Sequence, residues 1–98
     1  MNMQAILRQA QNMQKDIIKE KEKIDNMSFE GKSSLVTVTM NGKKQVVKIS
    51  LKEEIKELEE LDILEDMIMI ATNDSLNQVD KITEEKLGKY SNMMPGLF

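Results

Sequence analysis

The sequence predicts an α+β fold: a long N-terminal helix, a small three-stranded antiparallel sheet built around an Asn-Gly hairpin, and a long C-terminal helix. Three observations carry this reading. Apolar residues at Met3, Ile6, Ala10, Met13, Ile17, Ile24 and Met27 follow heptad spacing, interrupted only by Glu20. The stretch SLVTVTMNGKKQVVKIS, residues 34–50, alternates on both sides of Asn41-Gly42, the strongest short-range signal for a hairpin. From residue 62 the apolar period is helical again. A hairpin alone is not stable in water, so the flanking helices must cover it.

The first helix, over residues 3–27, spans roughly 35 Å at 1.5 Å per residue. Leu7 widens its apolar seam early, and beyond Ile18 the seam thins, which predicts that the second half leaves the core. Residues 27–34 hold Phe29 and Gly31 and suit a short edge strand. A two-residue type I′ turn at Asn41-Gly42 then places Met40 opposite Lys43, Val38 opposite Gln45 and Val36 opposite Val47. Val36, Val38, Met40, Val47, Ile49 and Leu51 share the core face. The other face carries Leu35, Thr37, Thr39, Lys44, Val46, Lys48 and Ser50, a mixture suited to solvent or a partner.

LKEEIKELEELD, residues 51–62, reads as an acidic connector with at most a helical turn. It ends at Asp62, whose spacing to Glu65 suits a capping box. The last helix then runs to about Tyr90. Its first turns are broadly apolar (Ile63, Leu64, Met67, Ile68, Ile70, Ala71), while after Asp74 only Leu76, Val79, Ile82 and Leu87 remain. A wide stripe predicts deep burial and a thin one a projecting arm. The chain is expected to be one domain over 1–98, with a flexible tail at 91–98.

Composition narrows the function. With 98 residues the chain is near the lower end of what buries a core alone, so a second subunit is expected. Nine methionines and three aromatics leave Leu, Ile, Val and Met to fill the interior. No Cys and no His are present, which removes disulfides, thiolate metal sites and the commonest general base. No Gly-rich phosphate loop or nucleophile-base pair accompanies the abundant carboxylates, and the acidic run at residues 53–66 lacks the order of a calcium loop. Neither an enzyme nor a metal, cofactor or small-molecule substrate is therefore expected. No apolar run approaches a membrane span and the N-terminus lacks the layout of a secretory signal, so the expected location is the cytoplasm.

The net charge of −3 hides an asymmetry: residues 1–51 carry nine Lys/Arg against five Asp/Glu, and residues 52–98 five against twelve. On the first helix Arg8, Lys15, Lys19 and Lys23 lie off the apolar seam and form a stripe able to follow phosphates. Asp16, Glu20 and Glu22 interleave with them, so an ordinary solvated face is the competing reading. Lys43 and Lys44 at the hairpin turn suit phosphate contacts, or equally the guarding of a sheet edge against aggregation. No aromatic residue interleaves with either patch, which argues against base stacking. The interior and subunit contacts are assigned to Val36, Val38, Val47, Ile49, Ile68, Ala71 and Asn73. Asn73 and Asp74 are an unusual polar pair in mid-helix, reaching a sheet edge or dimer axis if buried, or otherwise a solvated step.

Four stretches together resemble a known family: RQAQNMQ (residues 8–14), VTVTMNGKKQVVKISL (36–51), LEDMIMIATND (64–74) and MPGLF (94–98). In this order they resemble the YbaB/EbfC family of bacterial nucleoid-associated proteins. The resemblance implies an intertwined, tweezer-like homodimer that binds DNA and contributes to nucleoid organisation. The chain departs from the family in lacking a Gly/Met-rich opening, in carrying Thr72 and Ser75 where Ala is more usual, and in a tail with less glycine. The expected function is nucleoid-associated binding of duplex DNA through basic residues with little sequence specificity. The alternative is a protein-interaction module whose Met-rich seams dock a helical partner.

Overall fold

Asn2 begins the first helix by accepting the Gln4 N–H with its side chain at 3.0 Å, satisfying one of the unpaired donors of the opening turn. From there α1 runs Met3–Asp25, followed by β1 (Ser28–Lys32), β2 (Val36–Asn41) and β3 (Val46–Leu51). A short 3-10 helix (Glu53–Glu57) leads into α2 (Leu61–Leu87), and a second one (Gly88–Tyr90) extends it. The structure is a computed structural model describing residues 2–91; beyond Ser91, the tail expected at 91–98 and the MPGLF motif lie outside the described residues. The sheet is antiparallel in the order β1-β2-β3. The Cα radius of gyration is 19.1 Å and the extents are 71 × 19 × 15 Å, against about 13 Å expected for a compact chain of this length. The molecule is a rod, and its core is divided along it.

The hairpin is wider than the Asn-Gly dipeptide suggested. Asn41 N–H donates to the Gln45 carbonyl at 3.0 Å, Lys44 N–H donates to the Asn41 carbonyl at 3.1 Å, and Lys44 takes a left-handed φ of 63°. This is a three-residue loop with its bulge residue at Lys44, and it corrects the type I′ expectation. Val36 pairs with Leu51, Val38 with Ile49, and Met40 with Val46, with a register shift between Thr39 and Met40. Ile49 and Leu51 thus share the Val36/Val38 face as expected, but the register differs: Val46 and not Lys43 stands opposite Met40, Ile49 and not Gln45 opposite Val38, and Leu51 and not Val47 opposite Val36.

Two local causes set this geometry. The Asn41 side chain accepts from Lys43 N–H at 2.9 Å and Gln45 N–H at 3.1 Å, holding the longer loop. Gly42 is pressed against the end of α1, where a Cβ would lie 1.9 Å from the Ile24 carbonyl oxygen. Asn41→Ala should cost about 1 kcal/mol and lower Tm by roughly 5 °C, while Asn41→Asp, which keeps the acceptor, should cost less. Thermal melts giving the reverse order would show that the side chain does not hold the loop.

α1 buries the half opposite to expectation, and α2 packs along both of its halves. In α1 the buried residues are Ile17 and Ile24, and every residue from Asn2 to Asn12 is exposed. In α2 the thin second half packs against them: Ile17, Ile24, Phe29, Met40, Val79 and Leu87 form one cluster, joined by Met13, Leu76, Ile82 and Tyr90. The physical reason is that two narrow stripes facing each other need only one row of apolar side chains each. A second cluster of Val36, Val38 and Ala71, with Ile55, Leu64, Met67 and Ile68, lies where the first half of α2 crosses the sheet. That half's width is spent on two surfaces. One flank lies on β1 and β2, while Ile63 and Ile70 stay exposed at 40% and 53%.

At the crossing, α2 approaches β1 unusually closely over Gly31, Ala71 and Ser75. Ser75 is fully buried and its Oγ donates to the Phe29 carbonyl at 2.7 Å, so the departure from Ala at this position ties helix to strand. Asp74 accepts the Lys32 N–H at 3.0 Å and Gln78 Nε2 donates to the Glu30 carbonyl at 2.7 Å. Asp74 therefore serves the sheet edge, whereas Asn73 is exposed and is no part of the chain's own core. Val47 and Ile49 are likewise exposed, at 57% and 50%. The Asp62 capping box is also corrected: Glu60 holds the N-cap position of α2 without a side-chain bond, because the helix starts before Asp62.

Candidate nucleic-acid interface

α1 and α2 run antiparallel where they meet. Residues 21, 24 and 25 stand beside residues 80–87 in one hollow, and residues 16–23 beside residues 85–90 in another. The two hollows lie on opposite flanks of the helix pair, since Lys21 and Lys23 are roughly 160° apart on α1. This separation sorts the basic residues.

Arg8, Lys15, Lys19 and Lys23 are all exposed and fall within an arc of about 80° at 3.6 residues per turn, turned away from the line of Ile17 and Ile24. Lys19 and Lys23 line a hollow of about 490 Å³ together with Lys86, Lys89 and Tyr90 and the three carboxylates Asp16, Glu20 and Glu85. The Lys89 ammonium sits 5.0 Å from the Tyr90 ring centroid, a cation–π contact that steadies it without neutralising it. Among the described residues, the ion pairs are Lys21–Asp25, Lys44–Asp80 and Lys56–Glu53; none of the four lysines of this hollow belongs to one. Arg8 and Lys15 continue the same stripe toward the free end of α1.

Lys43 and Lys44 lie elsewhere. They line the opposite hollow, of about 400 Å³, with Lys21, Asp25, Asp80 and Glu84. Lys44 is paired with Asp80 at 3.0 Å and Lys43 shares its hollow with three carboxylates, so this end of the molecule presents balanced charge. The structure does not bring the hairpin lysines onto the flank of the helix stripe.

Lys86 and Lys89 escaped the reading of the sequence because the second half of α2 was assigned to a lone arm. The matching thin seams of the two helices were the signal that they pair, and pairing brings the lysines at 86 and 89 beside those at 19 and 23.

The sequence profile of the YbaB/EbfC DNA-binding family matches residues 1–94. The chain belongs to this family. It is similar to a nucleoid-associated protein of Ligilactobacillus salivarius, 37% identical over 99% of this chain and 95% of the relative. A nucleoid-associated protein of Lactococcus lactis is 40% identical over 97% of this chain and 98% of its own. The crystal structure of an uncharacterized protein from Helicobacter pylori has the same fold, with a TM-score of 0.67 at 21% identity over 95% of this chain and 97% of that one. YbaB/EbfC is a DNA-binding family and not an enzyme family, in agreement with the composition. No helix among the described residues is long and apolar enough to cross a membrane.

Proposed function

We propose that this YbaB/EbfC protein acts at the nucleoid as a homodimer that holds duplex DNA by its phosphates, through Arg8, Lys15, Lys19 and Lys23 together with Lys86 and Lys89. The observation that supports this most is the hollow in which four lysines from two helices converge without an ion pair among the described residues. Lys and Arg presented as a stripe, without interleaved aromatics, suit backbone neutralisation and give little sequence readout. The acidic surface from Glu53 to Asp66 repels the duplex and orients the basic flank toward it.

Dimerisation rests on uncovered apolar surface. Val46, Ile49 and Leu51 on β3, and Leu61, Ile63, Met69 and Ile70 on α2, are exposed by between 40% and 73%, beyond the scattered apolar residues of an ordinary monomer surface. A second copy covering part of this surface, such as β3 with Ile63 and Ile70, also doubles the number of phosphate contacts.

Gel-shift titrations against unrelated duplexes at two salt concentrations test the function. Dissociation constants of about 10⁻⁴ to 10⁻⁶ M at physiological salt are expected, with a steep salt dependence. Each contact removed should lower the log-log slope by about 0.9. Lys15→Gln with Lys19→Gln should therefore weaken binding and flatten the slope, as should Lys86→Gln with Lys89→Gln, while Tm hardly moves. Lys43→Gln with Lys44→Gln should leave the slope unchanged. If only the hairpin pair matters, the duplex lies across the sheet end; if no duplex binds at low salt, the chain is an interaction module for a helical protein.

A further inference from the structure

The hollow between the two helices holds more than lysine. Lys19, Lys23, Lys86 and Lys89 share it with the carboxylates of Asp16, Glu20 and Glu85 and with the Tyr90 ring. Among the described residues none of these seven charges belongs to an ion pair. Phosphate neutralisation leaves the ring without a part, and the three carboxylates would only oppose it. Along α1 no aromatic residue interleaves with the basic stripe, but the fold supplies one from the other helix. The 3-10 turn Gly88–Tyr90, closed by Ser91 N–H on the Gly88 carbonyl at 3.1 Å, sets Tyr90 against the cluster of Ile17 and Leu87. The ring is half-buried there, and the Lys89 ammonium lies 5.0 Å from its centroid, so a firmly seated π-face is turned to a cation of the hollow.

We propose that this hollow takes one nucleotide whose base is unpaired, stacked on Tyr90, with its phosphate on the lysines and the amino group of its base on the carboxylates. A nucleotide carries these three chemistries together: an anion, a flat ring, and in cytosine or adenine an exocyclic amino donor of the kind Asp and Glu accept. In a duplex the ring is stacked and the amino group paired, so the phosphates alone are engaged. A single strand or a free nucleotide offers all three. The volume of about 490 Å³ lies within the roughly 300–1,000 Å³ of small-ligand sites. A base entering over Tyr90 displaces Lys89 from the ring and frees its ammonium for the phosphate. The inference rests on the phosphate reading of these lysines and adds the base to it.

Tyr90 is the single tyrosine and the chain has no tryptophan, so intrinsic emission reports this site directly. Titrating the full chain with single-stranded oligo-dC at low salt should quench that emission, and a duplex bound to the same extent should quench it far less. By anisotropy oligo-dC should bind about fivefold more tightly than oligo-dT, whose base has no amino group. Tyr90→Leu keeps an apolar side chain on the cluster; it should weaken oligo-dC binding at least about fivefold, the lower end of what one lost stacking contact costs, and leave duplex binding within about twofold. Tyr90→Phe should match the parent in both. Cytidine triphosphate as a competitor names the source: displacement of oligo-dC at micromolar concentration means that free nucleotides are taken, and no displacement means that the nucleotide must belong to a strand. Absence of quenching by oligo-dC, or equal quenching by the duplex, overturns the proposal, and duplex binding that persists then leaves the phosphate reading standing. Quenching by oligo-dC without any duplex binding would do the reverse.

Discussion

Gly31→Ala should lower the stability of the protein by about 3 kcal/mol or more, the upper end of what overpacking costs, and bring Tm down by more than roughly 10 °C. A Cβ at this position would lie 2.0 Å from the Ala71 carbonyl oxygen, 2.4 Å from the Ser75 nitrogen and 2.8 Å from the Ser75 Cβ. Two of these three atoms are helix backbone, so no side-chain rotation relieves the clash and α2 itself must retreat by more than about an ångström. Retreat lengthens the Ser75, Asp74 and Gln78 bonds to β1 and loosens the packing over Val36 and Val38. Small domains hold only about 5–15 kcal/mol in reserve, so the loss is a large share. Shrinking the neighbour with Ala71→Gly should not rescue it, because the obstacle is the carbonyl. A Gly31→Ala melt within a few degrees of the parent would show that helix and strand are less closely seated.

The second large effect separates the two halves of one sheet face. Val38 is fully buried beneath α2, and Ile49, its direct partner across the ladder, is 50% exposed. Val38→Asp places an unpaired carboxylate in an apolar interior at a cost of several kcal/mol, and should abolish the cooperative melt at room temperature. Ile49→Asp should leave the chain's own secondary structure intact and halve the mass seen in sedimentation equilibrium. Thr37→Asp, pointing to the other face, should be mild in both assays. A dimer that survives Ile49→Asp would place the subunit contact away from β3.

These two experiments also mark where the sequence was legible. Alternation around Asn41-Gly42 identified both strands and the core face of Val36, Val38 and Met40, because period two is a property of the strand itself. The register was not legible. It depends on Gly42 abutting Ile24 and on the bonds from Asn41, which link residues distant in sequence or acting through one side chain. Helix existence was likewise plain from periodicity, but the width of an apolar stripe does not say which surface it faces. In α2 the wide half serves its own sheet and still leaves Ile63 and Ile70 uncovered, whereas the narrow half is sealed by α1. For the basic residues, Arg8, Lys15, Lys19 and Lys23 were visible as one helical arc. Lys86 and Lys89 required the antiparallel pairing, and the Lys44–Asp80 pair required the bulged loop that directs Lys44.

The bonds from Asp74 and Gln78 to β1 have a bearing on how copies of this chain stop assembling. Lys32 N–H and Glu30 C=O are the groups that β1 turns away from β2, and α2 occupies both. On β3 no side chain among the described residues takes that part. Among the described residues the sheet therefore has one border blocked by side chains and one, along β3, that is not. A two-fold pair that used β3 from each copy would consume both open borders at once and leave none for a third chain. In such a pair the apolar outer strand would meet a dead end and not the start of a polymer, and two polar side chains on a helix would be what terminates the chain of sheets.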